Sequence, residues 1–387
     1  GQLKKAITLL EEAKKPMFLI GGGVNLAHAQ QEMTKLAEKI DAPVITTVMG
    51  RGAISTEHPL YIGNIGMHGS YAANKTADEC DLMFSIGCRF NDRVTGEIKK
   101  FAPNAKIVHI DIESAAISRN VTVDIPIVAD AKAAILKILE HTEPMEHKEW
   151  LDEIQGWDKE YPLQMEVKDG VNPQRIIETL NEVYADRDTV FTSDVGQHQM
   201  WASQYLKLDA THRLVQSGGL GTMGFGLPSA VGAQIGCPEK SIVSISGDGG
   251  FQMNMQELAT AVCQELPLVN IVFNNNRLGM VRQMQELFFK KRYTITCLRY
   301  HKSCKGKCGT PGWVCPEYVP DFVKMAEAYG TKGYFVTEDE QLRDTILEAR
   351  DYAEKNKKPV IVECMVAPDE LVMPMIKGGA SFEDIML

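Results

Sequence analysis

Short apolar runs alternate with stretches of helical period along most of the chain. In the first half, residues 17–20, 43–47, 82–86, 107–112 and 125–128 read as buried strands. Leu3, Ile7 and Leu10 fall on one face of an opening amphipathic helix, and Met33, Leu36, Ala37 and Ile40 on one face of another. In the second half, Pro173 stands where a first helical turn tolerates it, and the helix continues through Ile176, Ile177, Leu180 and Val183. A strand over 189–192 follows. The apolar runs 242–245 and 268–273 enclose a helix through Met255, Leu258, Ala259 and Val262, with Asn254 and Glu257 placed as N-cap and capping-box partner. Further on come a helix over 321–329, a strand over 334–336, a helix over 341–353 and a strand over 359–366. Such alternation predicts an α/β protein built from two doubly wound parallel-sheet domains. The expected division is a central, Rossmann-like nucleotide-type domain over 1–142, a polar and partly helical linker over 143–170, and a C-terminal domain over 171–387.

Composition narrows the classes. A chain of 387 residues exceeds one ordinary core, which agrees with two domains. The net charge of −10 and the lack of a long basic run exclude a nucleic-acid surface. No apolar stretch reaches membrane-span length, and no signal peptide opens the sequence. Nine cysteines, an odd number without a secretory signal, suit a reducing cytoplasm. The sequence starts without Met, so a piece of a longer protein is expected.

Chemistry concentrates where predicted strands end. The run 242–245 leads into Gly247-Asp248-Gly249-Gly250, and the run 268–273 delivers Asn274-Asn275-Asn276. Glycines there let backbone N–H groups approach a phosphate, and a helix start favours an anion. Asp248, the Asn275 side-chain carbonyl and a backbone oxygen just after it make three hard oxygens, which suit Mg²⁺ beside a diphosphate. Alone, a GDG triplet is a plain turn. The 24 residues between Gly249 and Asn274 match the spacing of the thiamine-diphosphate (ThDP) binding motif, GDG followed by NN.

Other strand ends are more open. Gly21-Gly22-Gly23 lacks the full G-x-G-x-x-G spacing and reads equally as a helix-packing turn or a cofactor contact. Arg89 and Arg93 follow a strand, and Asp111 ends another, where a ribose hydroxyl can be held. The loop from Ser193 to His198 is rich in phosphate-binding groups, and His198 reads as a diphosphate donor or as a buried polar residue. Residues 218–236 are nearly all small, which suits tight helix packing or close approach to a flat ring. Met223 is the one bulky side chain there without a packing reason.

Together these pieces resemble the acetolactate synthase (acetohydroxyacid synthase) family of catalytic large subunits over nearly the whole chain. The most specific segments are RFNDRVTG (89–96), SDVGQHQMW (193–201), GLGTMGFGLP (219–228), GDGGFQM (247–253) and NNNRLGMVRQ (274–283). The resemblance implies that Val195, Gly196, Gln197 and His198 hold the diphosphate, with Gly247, Asp248, Gly249 and Gly250 completing the cradle. It implies Mg²⁺ on Asp248, Asn275 and the backbone oxygen of Arg277. Met223 with Gly221 would support the bent cofactor, with Met280 also in the ThDP site, and Arg93 would meet the carboxylate of the second 2-keto acid. The Arg89–Arg93 pattern is similar to the flavin-dependent branch, which implies a non-redox FAD along Gly22, Gly23, Met67, His68, Gly87, Arg89, Arg93, Asp111 and Ile112. The implied activity condenses pyruvate with pyruvate or 2-ketobutyrate, with loss of CO₂, on the route to branched-chain amino acids. A homodimer or tetramer is implied, with a regulatory small subunit as a further partner.

Two departures qualify that picture. The matching segments omit the family's N-terminal domain, which carries the glutamate that activates the cofactor. The chain alone is therefore expected to be inactive, and acetolactate made by it would contradict this. Met284 stands where many members carry a channel tryptophan, so the choice of second keto acid is open. Cys297, Cys304, Cys308 and Cys315 are spaced C-x6-C-x3-C-x6-C, unlike common zinc sites, and read as a metal or redox group or as a surface lobe. The competing functional readings are another ThDP enzyme (pyruvate oxidase, glyoxylate carboligase or a decarboxylase) and a non-catalytic nucleotide-binding module.

Overall fold

The structure is a computed structural model and describes residues 1–167, 169–304, 315, 316, 318 and 320–387. It divides into two compact units. One comprises Gly1–Leu163, Lys207–Ala210 and Met373–Leu387; the other comprises Gln164–Leu206 and Thr211–Val372.

The first unit holds β1 (Pro16–Ile20), β2 (Val44–Thr46), β3 (Tyr61–Asn64), β4 (Leu82–Ile86), β5 (Lys106–Asp111) and β6 (Ile125–Val128). They form one parallel sheet in the order β3-β2-β1-β4-β5-β6. Every residue of β1 and β4 is buried, because helices cover both faces of a parallel sheet. Alternate residues serve opposite faces: Phe18 and Ile20 pack with Val44, Phe84 and Ile110, while Met17 and Leu19 pack with Ile45, Met83 and Ile107. The helices Gln2–Glu12 and Gln30–Ile40 bury the faces that their spacing predicts. β3 went unpredicted because its four residues include a glycine and half of them stay partly exposed. The stretch expected as a linker contains a helix, Lys148–Glu160. Its Trp150 and Ile154 are buried in the first unit's core, and the Trp150 indole N–H donates to the Pro16 carbonyl at 3.0 Å.

The second unit holds β7 (Thr189–Ser193), β8 (His212–Gln216), β9 (Ser241–Gly247), β10 (Leu268–Asn274), β11 (Lys332–Val336) and β12 (Val360–Met365). These are parallel, in the order β11-β12-β10-β9-β7-β8. β8 is an edge strand of sequence HRLVQ whose partly exposed, polar pattern gave no strand signal. The expected capping box does not form. The helix runs Glu257–Cys263 from Gln256 without a side-chain cap; Asn254 instead donates to the Gly224 carbonyl at 2.7 Å, and Glu257 accepts from the Thr260 hydroxyl. A glycine-rich loop 30 residues upstream thus outcompetes the local cap for Asn254.

Both sheets are doubly wound. The chain order reverses between β1 and β4 in the first and between β7 and β9 in the second, and such reversals open a crevice at the strands' carboxyl ends. Among the described residues no helix is long and apolar enough to cross a membrane.

Candidate functional site

In the second unit the carboxyl ends of β7, β9 and β10 open into one cleft of about 450 Å³. Val195 to His198 follow β7, Gly247 to Gly250 follow β9, and Asn275 and Arg277 to Val281 follow β10; Met223 joins them. Three helices begin there: Gln197–Tyr205, the single turn Asp248–Phe251, and Gly279–Phe288. None carries a side-chain N-cap. Their first N–H groups lack helical partners and their dipoles present positive ends, so the cleft favours an anion.

Close packing explains the glycines. A Cβ on Gly250 would lie 2.4 Å from Asp194 Oδ1, and one on Gly279 would lie 2.1 Å from Gln197 Oε1. One on Gly196 or Gly247 would strike the His198 ring. Asp194, which sequence reasoning left without a role, organises the cleft. Its buried carboxylate accepts from the amides of Val195 (2.7 Å), Gly224 (3.0 Å) and Gly226 (2.8 Å), joining the β7 loop to the glycine-rich loop behind Met223.

Asp248 is 2% exposed. Oδ1 accepts from the Gly249 amide at 2.8 Å, while Oδ2 is buried with no hydrogen-bond partner among the described residues. Burial pushes its carboxyl up to about 8, against the pull of the Gly249, Asn276 and Arg277 amides, so the oxygen takes either a proton or a cation. His198 is also buried; burial lowers its imidazole to about 4, and Nε2 has no partner among the described residues. An orphaned carboxylate oxygen and an orphaned imidazole nitrogen, among three helix starts, together call for a ligand carrying both a cation and an anion. A divalent cation with a diphosphate fits that demand, and Asp248, Asn275 and the Arg277 backbone oxygen are the oxygens that could hold the cation.

The loop after β10 is held from behind. Asn274 Oδ1 accepts from the Asn276 amide at 2.9 Å, and Asn275 Oδ1 accepts from the Arg277 amide at 3.0 Å, which fixes Asn276 at φ +59°. The buried Glu363 on β12 accepts from Asn274 Nδ2 at 2.6 Å. Gln197, expected at the diphosphate, spends its side chain internally. It donates to Gln283 Oε1 and the Glu370 carbonyl and accepts from Asn275 Nδ2, leaving its backbone to face the cleft. Gln283, fully buried, clamps Val372 through both its N–H and its carbonyl. Gly221 (φ +66°) lies in the exposed loop preceding Met223 and does not line the cleft.

The residues expected around FAD fall at carboxyl strand ends of the first unit, in two groups. Gly21 and Gly23 pack directly on Gly87, and Gly22 on Met49: a Cβ on Gly23 would sit 2.7 Å from the Gly87 Cα, and the Gly23 amide already donates to the Gly87 carbonyl. Their smallness is therefore needed for packing at the β1–β4 reversal. Asp111 accepts from the Glu113 amide at 2.8 Å, with His109 Nε2 3.8 Å from its other oxygen, and Ile112 is exposed. The second group is Met67, His68 and Arg93. The Met67 amide donates to the Arg93 carbonyl, and the Met67 carbonyl accepts from Ile376. His68 is half-buried, and desolvation holds its imidazole down to about 4. The Arg93 guanidinium is largely exposed, 3.4 Å from the Asp92 carboxylate, and Arg89 is exposed as well.

Cys297, Cys304 and Cys315 are unbridged, and Cys308 lies outside the described residues. Among the described residues, no three His, Cys, Asp or Glu side chains are grouped to hold a metal.

Residues 3–138 match the central domain of thiamine pyrophosphate enzymes, and residues 194–364 match their C-terminal TPP-binding domain. The chain belongs to the thiamine pyrophosphate enzymes. The binding-domain match begins at Asp194 and takes in both β-strand ends that supply Asp248 and Asn275. Within this family the chain is similar to acetolactate synthases. It is 40% identical to a probable acetolactate synthase large subunit of Methanococcus aeolicus, over 100% of this chain and 63% of that protein. It is 40% identical to the Corynebacterium glutamicum large subunit, over 99% and 60%, and 38% identical to the Escherichia coli isozyme 3 large subunit, over 99% and 65%. The chain thus spans about three-fifths of the length of these relatives.

Proposed function

We propose that this chain supplies the diphosphate- and Mg²⁺-binding part of an acetolactate synthase catalytic subunit. The enzyme would condense pyruvate with a second 2-keto acid, pyruvate or 2-ketobutyrate, with loss of CO₂, at the first common step of branched-chain amino acid biosynthesis. The observation that carries the reading is the pair of buried, unpartnered atoms, Asp248 Oδ2 and His198 Nε2, in a cleft walled by three uncapped helix starts. The names of the relatives support the reaction.

Bound ThDP supplies a carbanion centre that accepts the two-carbon unit left when pyruvate loses CO₂. Asp248, Asn275 and the Arg277 carbonyl would hold Mg²⁺ against the diphosphate. The backbone of Val195 to His198 and Gly249 to Gly250 would donate to its oxygens. Met223, against Leu278 and Gly249, would shape the wall where the cofactor bends. Arg93, whose guanidinium is largely free to a ligand, would take the carboxylate of the second keto acid. FAD belongs to the same proposal as a non-redox ligand of the first unit. Exposed Arg89, Arg93 and Ile112 would contact it, while Gly22, Gly23 and Gly87 would give close backbone approach. Met67, His68 and Asp111 complete that set. A cytoplasmic homodimer or tetramer with a regulatory small subunit goes with this reading.

The deciding experiment assays pyruvate turnover by a protein of the relatives' length carrying this chain, with ThDP and Mg²⁺. Acetolactate is the expected product. Acetaldehyde in its place would favour a decarboxylase and overturn the assignment. A flavin absorbance spectrum of the same sample tests FAD.

A further inference from the structure

A second cleft, of about 630 Å³, opens at the opposite edge of the second unit's sheet. It lies at the amino ends of β9 and β10, where Ser241, Ile242 and Val269 form its floor. Six residue steps along β9, at about 3.3 Å each, put it roughly 20 Å from Asp248. Three helices end around it with the negative ends of their dipoles, and the four cationic side chains that line it, Arg187, Lys240, Arg350 and Lys357, oppose those ends and outnumber the acidic Glu239 and Glu354. Tyr184 caps Pro173–Val183, Gln234 is in the last turn of Gly226–Gly236, and Lys357 caps Leu342–Asn356.

Two of its walls are buried polar side chains with an atom that finds no partner among the described residues. Tyr184 is 1% exposed and its hydroxyl has no hydrogen-bond partner; burial raises the phenol, so it stays protonated and is a donor at neutral pH. Gln234 is 2% exposed. Its Nε2 reaches the carbonyls of Cys237, Pro238 and Lys240, while Oε1 has no partner and only accepts. Buried groups of this kind cost free energy unless something pairs with them.

The cleft's charges are unevenly committed. Arg350 donates to the Val183 carbonyl and to Asp351, and Lys240 pairs with Asp188 at 3.0 Å. Arg187 Nε makes no hydrogen bond among the described residues; its guanidinium lies 3.6 Å from Glu354 and 3.9 Å from Asp186. The exposed Lys357 adds a cation at the rim, opposite the exposed Glu239. Two donors (the Tyr184 hydroxyl and Arg187 Nε) and one acceptor (Gln234 Oε1) are therefore offered to a ligand.

We propose that this cleft binds a small organic anion, a carboxylate or phosphate, that carries a neighbouring hydroxyl. The anion would meet Arg187, Lys357 and the Tyr184 hydroxyl, and the ligand hydroxyl would donate to Gln234 Oε1. The site is separate from the diphosphate cleft and does not depend on what binds there.

The test titrates the chain with glycerate and with glycerol phosphate, followed by calorimetry, with acetate and glycerol as the two half-ligands. Either hydroxylated anion should bind, and which one binds identifies the anionic group. Acetate and glycerol should bind at least ten-fold more weakly. Tyr184→Phe and Arg187→Gln should each weaken binding about ten-fold, as loss of one hydrogen bond to a charged group does. Asp248→Ala should leave it unchanged, which separates this site from the ThDP cleft. Failure of both anions to bind, wild-type affinity in either cleft variant, or loss of binding in Asp248→Ala would overturn the proposal.

Discussion

Replacing Asp248 with asparagine keeps the side chain's shape and removes its charge. In the metal-free chain, burial raises this carboxyl from 3.8 to about 8. Between those values the folded chain holds a proton that the unfolded chain has released. The group's contribution is therefore largest below pH 4, falls as pH rises, and levels off above 8. Up to pH 7 the window is about three pH units, and at roughly 1.4 kcal/mol each the loss is about 4 kcal/mol. Asparagine has no such titration. Calorimetric melting without Mg²⁺ should show the wild-type transition of the second unit falling, relative to Asp248→Asn, by on the order of 10 °C between pH 5 and 8. Mg²⁺ with diphosphate should recover most of that fall in the wild type and none in the variant, because the cation replaces the proton on Oδ2. Parallel wild-type and variant profiles without Mg²⁺ would refute the reasoning, since they would mean that the buried oxygen is already paired or hydrated.

Gly250→Ala puts a Cβ 2.4 Å from Asp194 Oδ1 and should cost at least ten-fold in ThDP affinity while the far sheet edge keeps its stability; calorimetry with and without cofactor reads both. Glu363→Leu strands the Asn274 amide, which should cost about 1–3 kcal/mol and weaken Mg²⁺ binding, whereas Glu363→Gln keeps an acceptor and should largely restore it. Diphosphate at His198 Nε2 should raise that imidazole from about 4, visible as a titration shift in its NMR resonances. Arg93→Ala should raise KM for the second keto acid without lowering melting temperature, because its largely exposed guanidinium pairs with the neighbouring Asp92 at the surface.

Strand ends and glycines were legible in the sequence because their causes are local. A buried parallel strand is a continuous apolar run, and a turn that must pass a neighbouring backbone needs glycine. β9, β10 and the motifs that follow them therefore stood out. What stayed hidden depends on partners distant in the chain. Asp194 looked like one more loop carboxylate; its role exists only because Gly224 and Gly226 come back to it. Glu363 reaches Asn274 across 89 positions, and Gln197 reaches Gln283 across 86. The capping box failed for the same reason, since Gly224 offers Asn254 a partner that no local pattern reveals. In the glycine triplet at 21–23, left open between two meanings, Gly21 and Gly23 pack against Gly87 and Gly22 against Met49, which leaves a cofactor contact to be tested.

The central claim is that the second unit's cleft binds a diphosphate through a cation on Asp248. Calorimetric titration with ThDP, with and without Mg²⁺, on the wild type and Asp248→Ala tests it most directly. The account predicts binding that requires Mg²⁺ and disappears in the variant. Binding that is indifferent to Mg²⁺, or equal in Asp248→Ala, would contradict it.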